Sequence, residues 1–168
     1  MRDAETRFSD TQVDLVCFEV SGRLYALEVG QVREIVRDCE VTPLPKAPLL
    51  IEGVVDLRGA VVPILDLGRA LDGLPVEAGS AQARIVVVEV DSLVLGLRVG
   101  AAVDAISLPI EALEDPPALA TQAGYDAVRA VVRRPGAAPI LVLFLEPILE
   151  SVFRSPIGSD SHPTQGVV

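Results

Sequence analysis

One stretch of the sequence decides the fold: Gly53-Val-Val-Asp-Leu-Arg-Gly-Ala-Val-Val-Pro-Ile-Leu-Asp-Leu67. Two β-branched apolar runs flank Gly59, which predicts two antiparallel strands joined by a tight turn. Pro63 has no backbone N–H to donate, so it predicts a strand edge or a bulge. Side-chain alternation divides the first run into two faces, with Val55 and Leu57 on one and Val54, Asp56 and Arg58 on the other.

The same design occurs twice in the chain. Ala130–Leu145 repeats the order of strand, turn and strand around Pro135-Gly136, and Phe18–Gly30 aligns with Val88–Gly100 when one residue is gapped. The spacing of about 70 to 77 residues is too long for a solenoid unit and predicts two similar β lobes. Chance similarity between aliphatic strands is the alternative.

Length and composition limit the possible classes of protein. A chain of 168 residues allows one domain or two small lobes, and half of its residues are apolar, enough for a substantial core. Four Phe, two Tyr and no Trp predict an aliphatic interior. The net charge of −10 argues against a nucleic-acid surface, because phosphate binding needs clustered Lys and Arg.

Many short strands with Gly and Pro between them predict an all-β fold of two small barrels. The opening hairpin is expected to form the first lobe with the stretch at residues 53–67. The boundaries that the sequence predicts are a flexible lead at 1–12, lobes at about 13–70 and 84–145, a boundary or mobile loop at 68–83, a closing helix at 146–153 and a disordered tail at 154–168.

Two segments are less regular. Gln31–Val36 fits either a short helical turn or a bent strand, and Ile110–Gly124 is expected to form a long surface loop. The N-terminus is polar and no apolar run approaches the ~20 residues that span a bilayer, so a cytoplasmic location is predicted. Cys17 and Cys39 have no metal-like spacing and are expected to stay reduced.

The sequence offers little catalytic equipment. His162, the sole histidine, lies in the predicted tail, and no phosphate-binding or dinucleotide motif is present. Neither a cofactor nor a metal site is predicted. A β-rich acidic chain of this kind is expected to act by binding other proteins. A small enzyme or carbohydrate binder that uses its carboxylates is the alternative from another class.

Several motifs together resemble the CheW family of bacterial chemotaxis coupling proteins: Phe18–Ile35, Thr42-Pro43-Leu44-Pro45, Gly53–Gly59 and Val62–Leu67. The similarity covers about residues 13–153, and the Leu-Arg-Gly hairpin is its most specific part. It implies two intertwined five-stranded SH3-like barrels with a short C-terminal helix. It also implies a non-catalytic adaptor that couples methyl-accepting chemoreceptors to a CheA-type histidine kinase.

The resemblance further implies two binding surfaces. Val32, Glu34 and Ile35 match the segment that docks the kinase's regulatory domain. Val54, Asp56, Arg58 and Gly59 match the hairpin associated with the groove for the receptor's cytoplasmic tip. Contact with a membrane would then be indirect, through receptors.

Other roles remain open for these residues. The alternative for Val32 is a place in the core, and the alternative for Arg58 is only an ion pair with Asp56 or with another local acid. Asp56 stands where the family usually carries Asn, which could neutralise Arg58. Such departures also permit a divergent member, in a pathway such as surface motility, that binds only one of receptor or kinase.

Overall fold

The structure, a computed structural model, describes residues 11–77, 79–118 and 127–159. It is an all-β fold of two mixed sheets with a C-terminal helix, as the sequence predicts. The strands are β1 Gln12–Val20, β2 Arg23–Glu28, β3 Val32–Arg37, β4 Ile51–Leu57, β5 Ala60–Asp66, β6 Arg84–Val90, β7 Leu93–Val99, β8 Ala101–Pro109, β9 Leu113–Glu114, β10 Val128–Arg134 and β11 Ala137–Leu143. The helices are α1 Leu67–Asp72 and α2 Leu145–Ser159.

The two sheets have equivalent strand orders. One runs β8-β1-β2-β11-β10-β9 and the other runs β3-β6-β7-β5-β4. Hairpin β1–β2 corresponds to hairpin β6–β7, and β10–β11 corresponds to β4–β5, which are the repeats that the sequence suggests. One sheet has the predicted five strands, and the other adds the two-residue β9.

Each half of the chain contributes its first hairpin to the sheet that holds the second hairpin of the other half. Hairpin β1–β2 lies in the sheet of β10–β11, and hairpin β6–β7 lies in the sheet of β4–β5. Hairpin β1–β2 pairs with β8 and β11, not with β4–β5. The prediction that the opening hairpin completes a lobe with residues 53–67 is therefore wrong, and neither sheet corresponds to 13–70 or 84–145. Each sheet takes strands from both halves of the chain. The reason is that β3 continues into the sheet of β6, whereas β8 returns to β1.

The apolar residues form three clusters. One lies inside the curled six-stranded sheet and contains Leu15, Cys17 and Ile140. A second lies inside the curled five-stranded sheet and contains Val55, Ile64, Ile85 and Val87. The third and largest lies between the sheets, where Phe18, Leu27, Val86 and Leu97 meet α2. Strands such as β1 and β6 bury both faces, which explains their unbroken apolar runs.

Two-residue turns join the hairpins. The turn residues Ser21-Gly22, Arg58-Gly59 and Asp91-Ser92 all have positive φ, the mark of type I′ turns that match the twist of antiparallel strands. In the turn between β10 and β11, Pro135 precedes Gly136, whose φ of 71° fits a type II turn. The tight turn predicted at Gly59 is thus confirmed.

Pro63 does not mark a sheet edge. Strand β5 lies inside its sheet, between β7 and β4, so the edge interpretation is wrong. Its parallel ladder with β7 begins at Ile64, directly after the proline. Pro63 itself pairs in register with Val54, so no bulge lies at the proline. The irregularity of this hairpin is in the partner strand β4, between Ile51 and Gly53.

The region predicted as a boundary or mobile loop contains α1. Asp66 caps this helix by accepting the N–H of Arg69 at 3.1 Å, and Gly73 ends it in the left-handed conformation. Leu67 and Val76 are buried, and Asp66 also accepts the N–H of Val76 at 3.1 Å. The capping carboxylate holds together a segment whose Gly and Pro content alone indicates a loop.

The remaining segments differ from the sequence predictions in extent. Gln31–Val36 contains both of the predicted alternatives, a helical turn and a strand. A 3-10 turn at Val29–Gln31 leads directly into β3. The predicted loop at 110–124 begins with a 3-10 turn and contains β9, and residues 119–126 lie outside the described part.

The chain ends also depart from their predicted boundaries. Strand β1 begins at Gln12, inside the predicted lead, whose residues 1–10 lie outside the described part. Helix α2 runs to Ser159 instead of ending at 153, although this extension includes Pro156 and Gly158, which disfavour a helix interior. Residues 160–168 of the predicted tail are not described. None of the described helices is long and apolar enough to cross a membrane.

Candidate functional site

The site is built where the five-stranded sheet curls until its two edge strands, β3 and β4, approach each other. A pocket of about 320 Å³ opens there, which we call the rim pocket. Its lining combines charged edge residues with apolar residues from inside the sheet: Arg33, Glu34, Leu57, Arg58, Ala60, Val62, Val87 and Val94. The pocket contains residues from both of the surfaces that the sequence resemblance implies.

The turn that presents Arg58 is held by Asp56. Arg58 has a φ of 54°, which disfavours a residue with a Cβ, and Gly59 follows at 85°. The N–H of Gly59 donates to Asp56 Oδ1 at 2.8 Å, so the carboxylate stabilises the turn from one end. Asp56 is thus a turn residue, and the expected neutralisation of Arg58 by Asp56 is not what the structure shows.

Arg58 pairs with Glu34 instead. Its Nη2 lies 2.9 Å from Glu34 Oε2, and the two side chains are 82% and 31% exposed. Of the two acids that the sequence analysis allows as partners of Arg58, the structure thus shows one other than Asp56. A pair this exposed contributes about 0.2–1 kcal/mol to stability, so it matters more for the charge presented at the rim than for folding.

The three residues predicted to bind a kinase do not share one face of β3. A bulge between Val32 and Glu34 rotates the strand. Val32 is half-buried and packs on the cluster between the sheets, so part of the core alternative holds. Glu34 lines the rim pocket, and Ile35 is 39% exposed.

Sequence reasoning missed an apolar residue beside the turn. Val61 on β5 is 68% exposed and lies opposite Asp56 in the hairpin. On the same face, Pro63 lies opposite the half-buried Val54. The alternation of β5 could have shown this, because Val61 and Pro63 are two residues apart and share the outer face. Together with Arg58 they make an apolar surface with a charged end.

A buried charged cluster lies at the other end of the same curled sheet. Arg98, whose side chain is 4% exposed, contacts Asp38 and lies 3.0 Å from Glu52 Oε2. Burial raises the pKa of the Glu52 carboxyl, its hydrogen bond with Asp66 adds to the rise, and Arg98 opposes it. These residues border an open pocket of about 570 Å³. The sequence gives no periodic signal for this cluster, because its members come from four separate segments.

The described residues hold no group of three His, Cys, Asp or Glu side chains that could bind a metal ion. Cys17 is buried and Cys39 is exposed, and both are free. Burial raises the pKa of both thiols, which lowers the thiolate fraction near neutral pH. In the part of the chain that the structure describes, the rim presents apolar side chains beside charged ones.

Comparison with known proteins identifies the family. The model of the CheW-like domain matches residues 14–153, which is most of the chain. The chain belongs to the CheW family. The resemblance found in its motifs is thereby confirmed.

CheW relatives match over most of their length. The chemotaxis protein CheW of Treponema pallidum (strain Nichols) is 30% identical over 146 residues, 85% of each chain. That of Rhizobium meliloti (strain 1021) is 31% identical over 155 residues, 92% of this chain and 96% of the relative.

A solved structure agrees with the fold. The crystal structure of the scaffolding protein TtCheW from Thermoanaerobacter tengcongensis aligns with a TM-score of 0.69 and 30% identity. The alignment covers 79% of this chain and 84% of TtCheW.

Proposed function

We propose that this CheW-family protein is a non-catalytic adaptor that couples chemoreceptors to a CheA-type histidine kinase in a chemosensory array. The observation that carries the proposal is the ion pair between Glu34 and Arg58, 2.9 Å apart. It joins a residue of the implied kinase surface to a residue of the implied receptor surface on one rim. A protein that works by connecting two partners needs a surface for each of them, and the two implied surfaces meet at this pair.

The kinase's regulatory domain would bind along the outer side of β3. Ile35 offers an exposed apolar side chain, Glu34 offers a charge, and Val32 supports the strand from the core. A small apolar contact beside a charge gives an interface both a buried centre and a preference among partners.

The helical tip of a methyl-accepting receptor would bind at the hairpin of β4 and β5. Val54 and the exposed Val61 supply apolar contacts, and Arg58 lies at the end of that surface. Helices commonly bind grooves through apolar side chains, while a guanidinium sets the register by hydrogen bonds. Asp56 and Gly59 would act by holding the turn. Any association with the membrane would come through the receptor.

Charge reversal at the rim tests both surfaces. Glu34→Lys should weaken binding to the kinase regulatory domain, and Arg58→Glu should weaken binding to a receptor cytoplasmic fragment, each by about tenfold or more. Isothermal titration with the purified partners measures both affinities. The chain offers a matched control in the exposed pair Glu114–Arg133 of the other sheet, whose atoms lie 2.6 Å apart.

The controls Glu114→Lys and Arg133→Glu should bind both partners like the wild type. If the folded Glu34→Lys and Arg58→Glu variants also bind like the wild type, the proposed surfaces are wrong. If the wild type binds only one of the two partners, the protein is the divergent single-partner member that the sequence permits. Binding to neither would refute the adaptor role.

A further inference from the structure

The two edge strands of the five-stranded sheet face each other without a backbone ladder. Strands β3 and β4 are fully described, and no ladder joins them; they are linked through side chains and through Thr42, a residue of the connector between them. The N–H groups of Thr42 and Val54 each donate to the other's carbonyl at 2.9 Å. We call this junction of β3 with β4 the seam. Because a seam lacks a ladder, something else must set the distance between its strands.

The rim end of the seam is joined by Glu34 and Arg58, but this pair is weak because it is exposed. Arg58 is 82% exposed, and a solvated pair of this kind tolerates changes of geometry. It can follow the spacing of the strands, but it does not impose that spacing. The two hydrogen bonds between Thr42 and Val54 join β4 to the connector and not to β3, which leaves the buried end of the seam to hold β3 against β4.

Arg98 joins the buried end of the seam. It lies on β7, the central strand, and alternation places it on the same face as Val94 and Gly96, whose neighbours belong to the cluster inside the sheet. From there its guanidinium contacts Asp38, the first residue after β3, and Glu52 in β4, 3.0 Å away. One side chain thus spans the end of the curled sheet and touches both sides of the seam.

The geometry of this contact is well constrained. The Nε and Nη2 atoms of Arg98 both face Glu52, while Nη1 faces Asp38, so the planar guanidinium is used on two sides. Asp38 also accepts the N–H of Gly79 at 3.1 Å. A buried arginine must keep its partners, because an unpaired buried charge is strongly unfavourable. The two carboxylates are therefore held at a fixed separation.

We propose that Arg98 is a positioning residue that sets the spacing of β3 and β4, and thereby the relative placement of the two binding surfaces, without touching either partner. The expected effect on binding rests on the proposed function. The expected effect on the spacing of β3 and β4 does not depend on that function. If Arg98 only stabilised the fold, a neutral replacement of the cluster should leave both the strand spacing and the affinities unchanged. The reason is that replacing a buried ion pair with neutral groups of similar size is often harmless to stability.

The test uses a neutral variant that leaves no buried charge unpaired: Arg98→Met with Asp38→Asn and Glu52→Gln. Its control is Val132→Ala, which removes buried apolar volume from inside the six-stranded sheet and should destabilise the protein without touching the seam. Spin labels at Arg37→Cys on β3 and Val61→Cys on β5 report the spacing by pulsed electron resonance. The exposed Cys39 is replaced by Ser in this experiment.

In the neutral variant we expect a distance distribution clearly broader than in the wild type, and affinities for both the kinase domain and the receptor fragment reduced about fivefold or more. The control should match the wild type in both measurements at a temperature where all variants are folded. Glu52→Gln alone keeps the pair of Asp38 with Arg98, and it serves if the neutral variant does not fold. It should broaden the distribution to a smaller degree.

An unchanged distance distribution in the folded variants would overturn the proposal. So would a broadened distribution with unchanged affinities, because spacing would then be irrelevant to binding. A loss of affinity as large in Val132→Ala would show that general destabilisation is the cause and would also overturn it. If the wild type binds neither partner, the proposed function fails, yet the distance measurement still decides whether Arg98 sets the spacing.

Discussion

Replacing Gly53 with alanine should destabilise the protein through a clash between two backbone segments. A Cβ at position 53 would lie 2.1 Å from the carbonyl oxygen of Thr42 and 2.9 Å from the Cα of Pro43. Ordinary contacts between heavy atoms need about 3.5 Å or more. Backbone atoms cannot rotate away as a side chain would, so the connector must move outward by more than about 1 Å.

The cost can be estimated from two contributions. Moving Thr42 breaks its two hydrogen bonds with Val54, each 2.9 Å long, and each contributes about 0.5–1.5 kcal/mol. Gly53 also has a φ of 157°, a region used almost only by glycine, which adds about 1–3 kcal/mol of strain for alanine. The free energy of unfolding should therefore fall by about 2–6 kcal/mol.

Urea unfolding followed by circular dichroism measures this change, and hydrogen exchange at the Thr42 and Val54 amides locates it. Gly30→Ala is the matched control, because no atom lies within 4 Å of its added Cβ, and its unfolding free energy should change by less than about 1 kcal/mol. If Gly53→Ala shows the urea midpoint of the wild type and both amides stay protected, the clash argument is refuted.

Three further predictions concern the interior and the titrating groups. Gly96→Ala would place its Cβ 2.6 Å from Ile85 and 2.7 Å from Ile64, so the free energy of unfolding measured in urea should fall by about 1–3 kcal/mol. A rise in that free energy would contradict the packing. Because the pKa of Glu52 is raised in the folded state, its contribution to stability is fully present below the ordinary Glu pKa of about 4.3 and is lost as pH rises through the raised value. Glu52→Gln should therefore flatten that part of the curve of unfolding free energy against pH, and an unchanged curve would exclude Glu52 as its source. Because its thiol pKa is raised, Cys39 should react with iodoacetamide at pH 7 more slowly than free cysteine, and the buried Cys17, whose thiol pKa is also raised, should stay unreacted in the folded protein. Mass spectrometry measures both reactions, and fast labelling of both thiols would be inconsistent with the structure.

Local sequence patterns were sufficient for the hairpins and their turns. The alternation before Gly59 divides β4 into two faces, and in the structure Val55 on one face is buried while Asp56 on the other is exposed. The repeats predict two equivalent sheets, and the spacing of Ile148, Leu149 and Val152 predicts a packed closing helix. Each of these properties depends on residues a few positions apart, where backbone geometry alone determines which side chains share a face.

The candidate site could be predicted only in part. Motif resemblance points to Glu34 and Arg58 separately, on two surfaces, and their pairing required the curl of the sheet. Val61 was missed although the alternation of β5 groups it with Pro63, because an exposed apolar residue and a buried one look alike in a β-branched run. Helix α1 was missed because its stability depends on the Asp66 carboxylate accepting two backbone N–H groups, one of them ten positions away.

The sequence by itself determined the strands, their faces, the tight turns and the family. Only the tertiary structure decided which hairpin joins which sheet, and that Arg98 reaches Asp38 and Glu52 across the end of one of them. The physical reason is that both faces of β1 and of β6 are buried and apolar, so either hairpin satisfies the same local pattern. The choice between them depends on pairings such as Val16 with Ala105, which lie far apart in the chain and leave no periodic trace in it.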